Sequence, residues 1–289
     1  MKDGIAIDSR DYIVAFELRS PEDIPPDFQP PPTMARFDAG LFLPRDDPDW
    51  FGRSSYPPRV LLLTHEMLRI VPHPASHETI DECPIDRISS VEVGHMLLKG
   101  WVRLSGDGVS CKVRFNTRGF PSISRFLARL RERLLCKSSD RTSAVRFGDD
   151  LDIKFGNALA QELERKETVA AQLFQPPRIV KKRIGLLPQR HHFGGDLLVK
   201  TGRRLLWITD SDRGFHARYG SVVSYAPLRT VNGLELVAGR GGCALRVNLP
   251  GAAWEVPVTA ENAPHAKEFM IRAGIQRNRR EPAFTPQNG

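Results

Sequence analysis

The side chains of VPHPASHE offer the first chance of chemistry, since His73 and His77, with Glu78 beside them, could ligate a divalent ion. Histidines four apart share a face only in a helix, and Pro72 and Pro74 argue against a helix there. His65 and Glu66 open HEMLR, which lacks the second histidine of an HExxH site. Cys83, Cys111, Cys136 and Cys243 show no CxxC spacing, so they read as reduced, mostly buried thiols rather than as zinc ligands or a disulfide frame. Neither GxSxG nor a phosphate-binding GxxxxGK loop occurs. The residues thus point to a binding protein with no catalytic residue, no metal and no cofactor.

The strongest candidate for binding is a run of charge. From Arg178 to Arg204 the chain carries Arg178, Lys181, Lys182, Arg183, Arg190, Lys200, Arg203 and Arg204 against a single acid, Asp196. With strands over 170–182 and 196–200, Arg183, Arg190, His191 and His192 fall in the loop between them. Lys181, Lys182, Arg183, Arg190, Lys200 and Arg203 are the candidate anion-binding set, because Arg grips phosphate oxygens with paired hydrogen bonds and cations near an anionic leaflet gain roughly 1 kcal/mol each. A solvated basic edge that keeps a sheet soluble is the competing reading. The net charge of +8 and pI near 9.6 favour an anionic partner without choosing one. Nucleic acid is disfavoured: GRGG at 239–242 reads as a hairpin turn, RNRR at 277–280 is short, and no recognition helix or strand of interleaved aromatics is visible.

Two hairpins position that charge. GDLLVKTGRRLLWITD, at 195–210, is two apolar runs hinged on Thr201, Gly202 and Arg203, and RVLLLTHEMLRIV, at 59–71, is a looser copy. Thr64 falls on Thr201, Leu68 on Leu205 and Ile70 on Trp207, which marks Trp207 as a core residue. After a six-residue insertion the offset becomes 143 and holds. Pro84, Ile85 and Ile88 then fall on Pro227, Leu228 and Val231; Val102, Arg103 and Leu104 on Leu245, Arg246 and Val247; and Gly108 on Gly251. Alternation in VEV, VRL, KVRF, LEL, LRV and EVPV predicts half-buried strands. Ile123, Phe126, Leu127, Leu130 and Leu134 form one apolar stripe of a closing helix.

This order, an apolar strand, a T-x-x-R turn, an apolar strand, a hairpin into P-[IL]-x-x-[IV], two further strands and a terminal helix, resembles bacterial PH-like and GRAM-like domains. The resemblance covers roughly 40–137 and 150–275 and is closer in the second copy, since Met67 stands where that copy has Arg204. Neither closing helix carries the tryptophan usual in PH domains, which places the likeness with the divergent bacterial branch. It implies a binding or assembly module, with the basic side chains between the second unit's first two strands placed where phosphoinositide-binding relatives hold a headgroup.

The expected fold is α+β: two units, each a curved antiparallel sheet or partly open barrel closed by an amphipathic helix. The expected boundaries are a proline-rich arm at 1–37, a first unit at 38–137, a linker at 138–150, a second unit at 151–276 and a tail at 277–289. The arm's SPEDIPPDFQPPP reads as extended, and FGNALAQELERKE, at 155–167, as a helix opening the second unit. No run is long and apolar enough to span a bilayer and MKDGIAIDSRDY lacks a signal-peptide core, so a cytoplasmic location is expected. The expected function is an adaptor that binds a protein partner or self-associates, with docking to an anionic membrane surface as the alternative.

Overall fold

A threonine hydroxyl closes each of the two duplicated hairpins. In the first, Thr64 Oγ1 accepts from Met67 N at 3.1 Å; in the second, Thr201 Oγ1 accepts from Arg203 N at 3.2 Å and Arg204 N at 3.1 Å. The computed structural model describes residues 14–28, 36–45, 56–96, 99–135, 151–164, 167–184, 187–210, 220–239 and 242–275. Cys136, the linker reading over 138–150 and the tail reading over 277–289 lie outside them.

The chain is an α+β protein of open antiparallel sheets with three helices among the described residues. A five-stranded meander runs through β1 (Phe16–Leu18), β2 (Ala39–Leu43), β3 (Arg59–Leu63), β4 (Met67–Pro72) and β5 (Asp81–Pro84). A 3-10 turn at Ile85–Arg87 leads into β6 (Ile88–Met96), β7 (Lys99–Gly106), β8 (Val109–Asn116) and helix α1 (Phe120–Leu134). Helix α2 (Ile153–Glu162) then precedes β9 (Val169–Gln175), the hairpin of β10 (Arg178–Ile184) and β11 (Leu187–Phe193), β12 (Asp196–Thr201), β13 (Arg204–Asp210) and β14 (Gly220–Pro227). A second 3-10 turn, Leu228–Thr230, leads into β15 (Gly233–Gly239), β16 (Gly242–Leu249), β17 (Ala252–Val258) and α3 (Ala263–Ala273). With β1 and the β10–β11 hairpin set aside, four strands, a 3-10 turn, three strands and a helix occur twice, with Gly108 and Gly251 at the same left-handed turn position, φ 69° and 68°.

The repeats are not held by a linker alone. Strand β14 pairs with β6, Tyr225 opposite Val91 and Val223 opposite Val93, so one seven-stranded sheet runs β8-β7-β6-β14-β13-β12-β9 across both. Alternation on this sheet feeds two cores. Leu197 and Val199 of β12, Leu206 and Ile208 of β13 and Tyr225 of β14 face the same core as β2 to β8, α1 and α2; Leu198, Leu205 and Ala226 face the one built by β15 to β17 and α3. Burial on both faces explains the unbroken apolar runs of β12 and β13. The first core encloses an apolar cavity of about 20 Å³, lined among others by Leu61, Ile70, Val113, Phe115, Phe126 and Leu130.

Two expectations need correction. The proline-rich arm is not extended throughout: Pro21–Asp23 form a 3-10 turn after β1, and Ile24 and Phe28 are buried with Phe42, Val60 and Leu62 against the other face of the first meander. The meander's second apolar face needs a cover, and these arm residues supply it. Arg183, Arg190, His191 and His192 are not in a loop; they belong to strands β10 and β11, whose register sets Lys181 opposite Arg190 and Ile184 opposite Leu187.

Candidate functional surfaces

The T-x-x-R turn turns its arginine inward. Arg204 and Glu167 have side chains 0% and 3% exposed, joined by Nη2–Oε2 at 2.5 Å and Nε–Oε1 at 2.9 Å, while Arg204 Nη2 also donates to the Glu162 carbonyl at 2.6 Å. Thr201 Oγ1–H donates to Glu167 Oε1 at 2.7 Å. Burial raises the Glu167 pKa, but the Arg204 hydrogen bond and charge, with Thr201, outweigh it and leave the carboxyl below its ordinary range. Beside this pair Arg131 of α1 bonds Glu162 of α2 at 2.6 Å, and its guanidinium lies 5.1 Å from the ring centre of the fully buried Tyr225. Burial pushes the Tyr225 hydroxyl up, with Arg131 and Arg204 opposing.

The same cluster fastens one repeat to the other. Arg229 Nη1 donates to the Leu134 carbonyl at 2.5 Å, and Arg203 donates to the Leu135 carbonyl, so the open C-terminal end of α1 is capped from the second repeat. Arg203 also pairs with Glu164 at 2.6 Å.

The predicted anion-binding residues therefore separate. Lys181, Lys182, Arg183 and Arg190 lie on the β10–β11 hairpin, whose register sets Lys181 opposite Arg190. Lys200 stands four residues along β12 from Asp196, where the hairpin joins, about 13 Å away at ~3.3 Å per residue. Arg203 is beyond it, in the turn, engaged with Glu164 and Leu135. Trp207 is half-buried against the second core, its Nε1–H donating to Asp196 Oδ1 at 2.9 Å. Among the histidines weighed for metal, His73 pairs with Asp27 at 2.9 Å and packs edge-on against Phe28. No group of three potential metal ligands occurs among the described residues. Cys83 and Cys111 are buried in the first core, and Cys243 is half-buried.

A second basic surface escaped the sequence reading. Alternation sends Lys99, Trp101 and Arg103 of β7, and Lys112 and Arg114 of β8, away from the first core, on the face of the sheet that β15 to β17 and α3 cover over β12 to β14. Trp101 is opposite Arg114, and Arg103 opposite Lys112. The Trp101 indole lies over Gly94, where an added Cβ would come within 2.1 Å of it, and its Nε1–H donates to Glu92 at 2.8 Å. Lys112 Nζ is 5.3 Å from the Trp101 ring centre, and the Arg114 guanidinium 4.7 Å from that of Tyr56. Partial burial, then Arg103 and Arg114, lower the Lys112 pKa. The signal was present in VRL and KVRF, whose outward positions are all cationic.

No family model matches this chain, and no curated protein does. No helix among the described residues is long and apolar enough to cross a membrane.

Proposed function

We propose that the protein is a non-catalytic binding scaffold of two PH-like units, fused edge to edge, that holds a protein partner or a second copy of itself. The observation carrying this reading is the doubled order of four strands, 3-10 turn, three strands and closing helix, joined through β14 and β6 into one sheet. Such a join fixes the two units at one mutual orientation, which suits an adaptor. The cavity in the first core is lined only by apolar side chains, with none of the convergent polar groups of a reactive pocket. Sedimentation velocity of the full chain over a wide concentration range tests self-association. Cross-linking in its own cells, followed by reconstitution with the purified cross-linked protein, tests a partner. A chain that stays monomeric and reconstitutes with nothing overturns the proposal.

Docking to an anionic membrane is the second reading. The β10–β11 hairpin supports it, since it pairs with no other described strand and carries Lys181, Lys182, Arg183 and Arg190. Flotation with anionic but not neutral vesicles, lost on reversing Lys181, Lys182 and Arg183 to Glu, is the expected outcome. Unchanged membrane recovery of that variant removes this reading.

A further inference from the structure

Among the described residues, the outer face of β6 to β8 holds four cations, Lys99, Arg103, Lys112 and Arg114, and one facing carboxylate, Glu92. That carboxylate is already shared: Glu92 Oε1 accepts from Trp101 Nε1 at 2.8 Å and lies 3.6 Å from Arg103 Nη1. Arg103 and Lys112 are direct cross-strand partners, a like-charge pair that weakens a sheet.

The second repeat shows that the fold does not need this arrangement. At the offset of 143 the equivalents of Arg103 and Lys112 are Arg246 and Glu255, also direct partners and joined in a salt bridge of 2.7 Å. The equivalents of Trp101 and Arg114 are Ala244 and Pro257. One repeat thus places an ion pair where the other places repulsion, an aromatic ring and a further cation. A local rule broken in one copy and kept in the other marks a surface shaped by what it binds.

We infer that this face binds single-stranded nucleic acid, its phosphates held by Lys99, Arg103, Lys112 and Arg114 and its bases stacked at Trp101 and Tyr56. Charge complementarity supplies the anion, and rings lying beside cations supply the sequence-tolerant platform that unpaired bases use. The form of the face selects among polyanions. Duplex grooves are read by a projecting helix or ribbon, and here the surface is an open sheet. A membrane anchor would insert its ring, whereas the Trp101 indole lies over Gly94 with its N–H bonded to Glu92. This site is separate from the β10–β11 hairpin and rests on neither reading of the function proposed above.

The test is fluorescence anisotropy of the full chain with labelled oligouridine and oligothymidine at low salt. Binding is expected with a log–log salt slope of roughly −3, from about 0.7 per phosphate neutralised at four cations. Lys112→Glu is the decisive variant, because it rebuilds the Arg–Glu pair of the second repeat and so keeps or raises the melting temperature. It should weaken binding roughly a hundredfold, the loss of one phosphate contact and the gain of a repelling charge. Trp101→Ala should weaken it about tenfold or more through lost stacking. Reversing Lys181, Lys182 and Arg183 to Glu should leave it unchanged. The inference is overturned if no oligonucleotide binds at low salt, if Lys112→Glu binds like the parent, or if only the hairpin variant loses binding. It is also overturned if polyglutamate or anionic vesicles, and not oligonucleotides, depend on Lys112.

Discussion

At the scale of residues, Arg204 and Glu167 show how misleading a count of basic side chains can be. Arg204 closes a cationic run of the sequence, yet it is wholly buried and neutralised by an acid 37 positions away. A buried pair of this kind costs most when one partner is removed. Glu167→Gln leaves the Arg204 guanidinium buried without its counter-charge, and a loss of about 3–5 kcal/mol in urea unfolding is expected. Pairing Glu167→Leu with Arg204→Met should recover most of that loss, as Met67 already occupies the equivalent turn position in the first repeat. The acid limb of stability gives an independent check. Because the folded Glu167 pKa lies below the unfolded value of 4.5, its contribution is complete above that value and drains as pH falls through the lower folded one. Glu167→Gln should therefore flatten the stability profile below about pH 4.5; an unchanged acid limb would show that the carboxylate is not held by Arg204.

At the scale of elements, the two glycine turns make a controlled comparison. Gly108 and Gly251 share a left-handed backbone, but a Cβ on Gly108 meets nothing, whereas one on Gly251 would lie 2.0 Å from the Gly106 carbonyl oxygen. The β16–β17 turn rests there on the β7–β8 turn, and Ser89 Oγ bonds the Pro250 carbonyl at 2.9 Å beside it. Gly108→Ala should cost only the left-handed strain, about 1–2 kcal/mol. Gly251→Ala must also open the seam and should cost about 3 kcal/mol or more; equal losses in thermal unfolding would mean the seam yields freely. These turns, the threonine-closed hairpins and the apolar stripe of α1 were legible because local periodicity and turn chemistry dictate them. All five stripe residues, from Ile123 to Leu134, are buried. The β6–β14 pairing was not legible, since an alternating strand reads the same whether its edge is free or paired. The β10–β11 hairpin was hidden by its Gly, Pro and charge, and the acids that neutralise Arg203 and Arg204 lie too far along the chain to be matched by spacing. The outer-face cluster needed register, because Trp101 and Arg114 become neighbours only once β7 and β8 are paired.

At the scale of the whole molecule, the duplicated sequence does not make two independent bodies. The first core takes Leu197, Val199, Leu206, Ile208 and Tyr225 from the second repeat, and the last carbonyls of α1 are capped by Arg203 and Arg229. Separating the repeats would expose that apolar face, strip the edge of β6 and leave Arg131 without Glu162. Burial of a single Leu or Ile side chain is worth about 1.5–3 kcal/mol, so the shared residues together rival the 5–15 kcal/mol by which a domain is stable. The chain should therefore unfold in one transition. Cut between Leu135 and Leu151, each half alone should show no cooperative unfolding and should bind a hydrophobic dye, while mixing the halves restores both the transition and the native circular dichroism. If either half unfolds cooperatively at the midpoint of the intact chain, the seven-stranded sheet is a contact between two finished domains rather than the common core on which both depend.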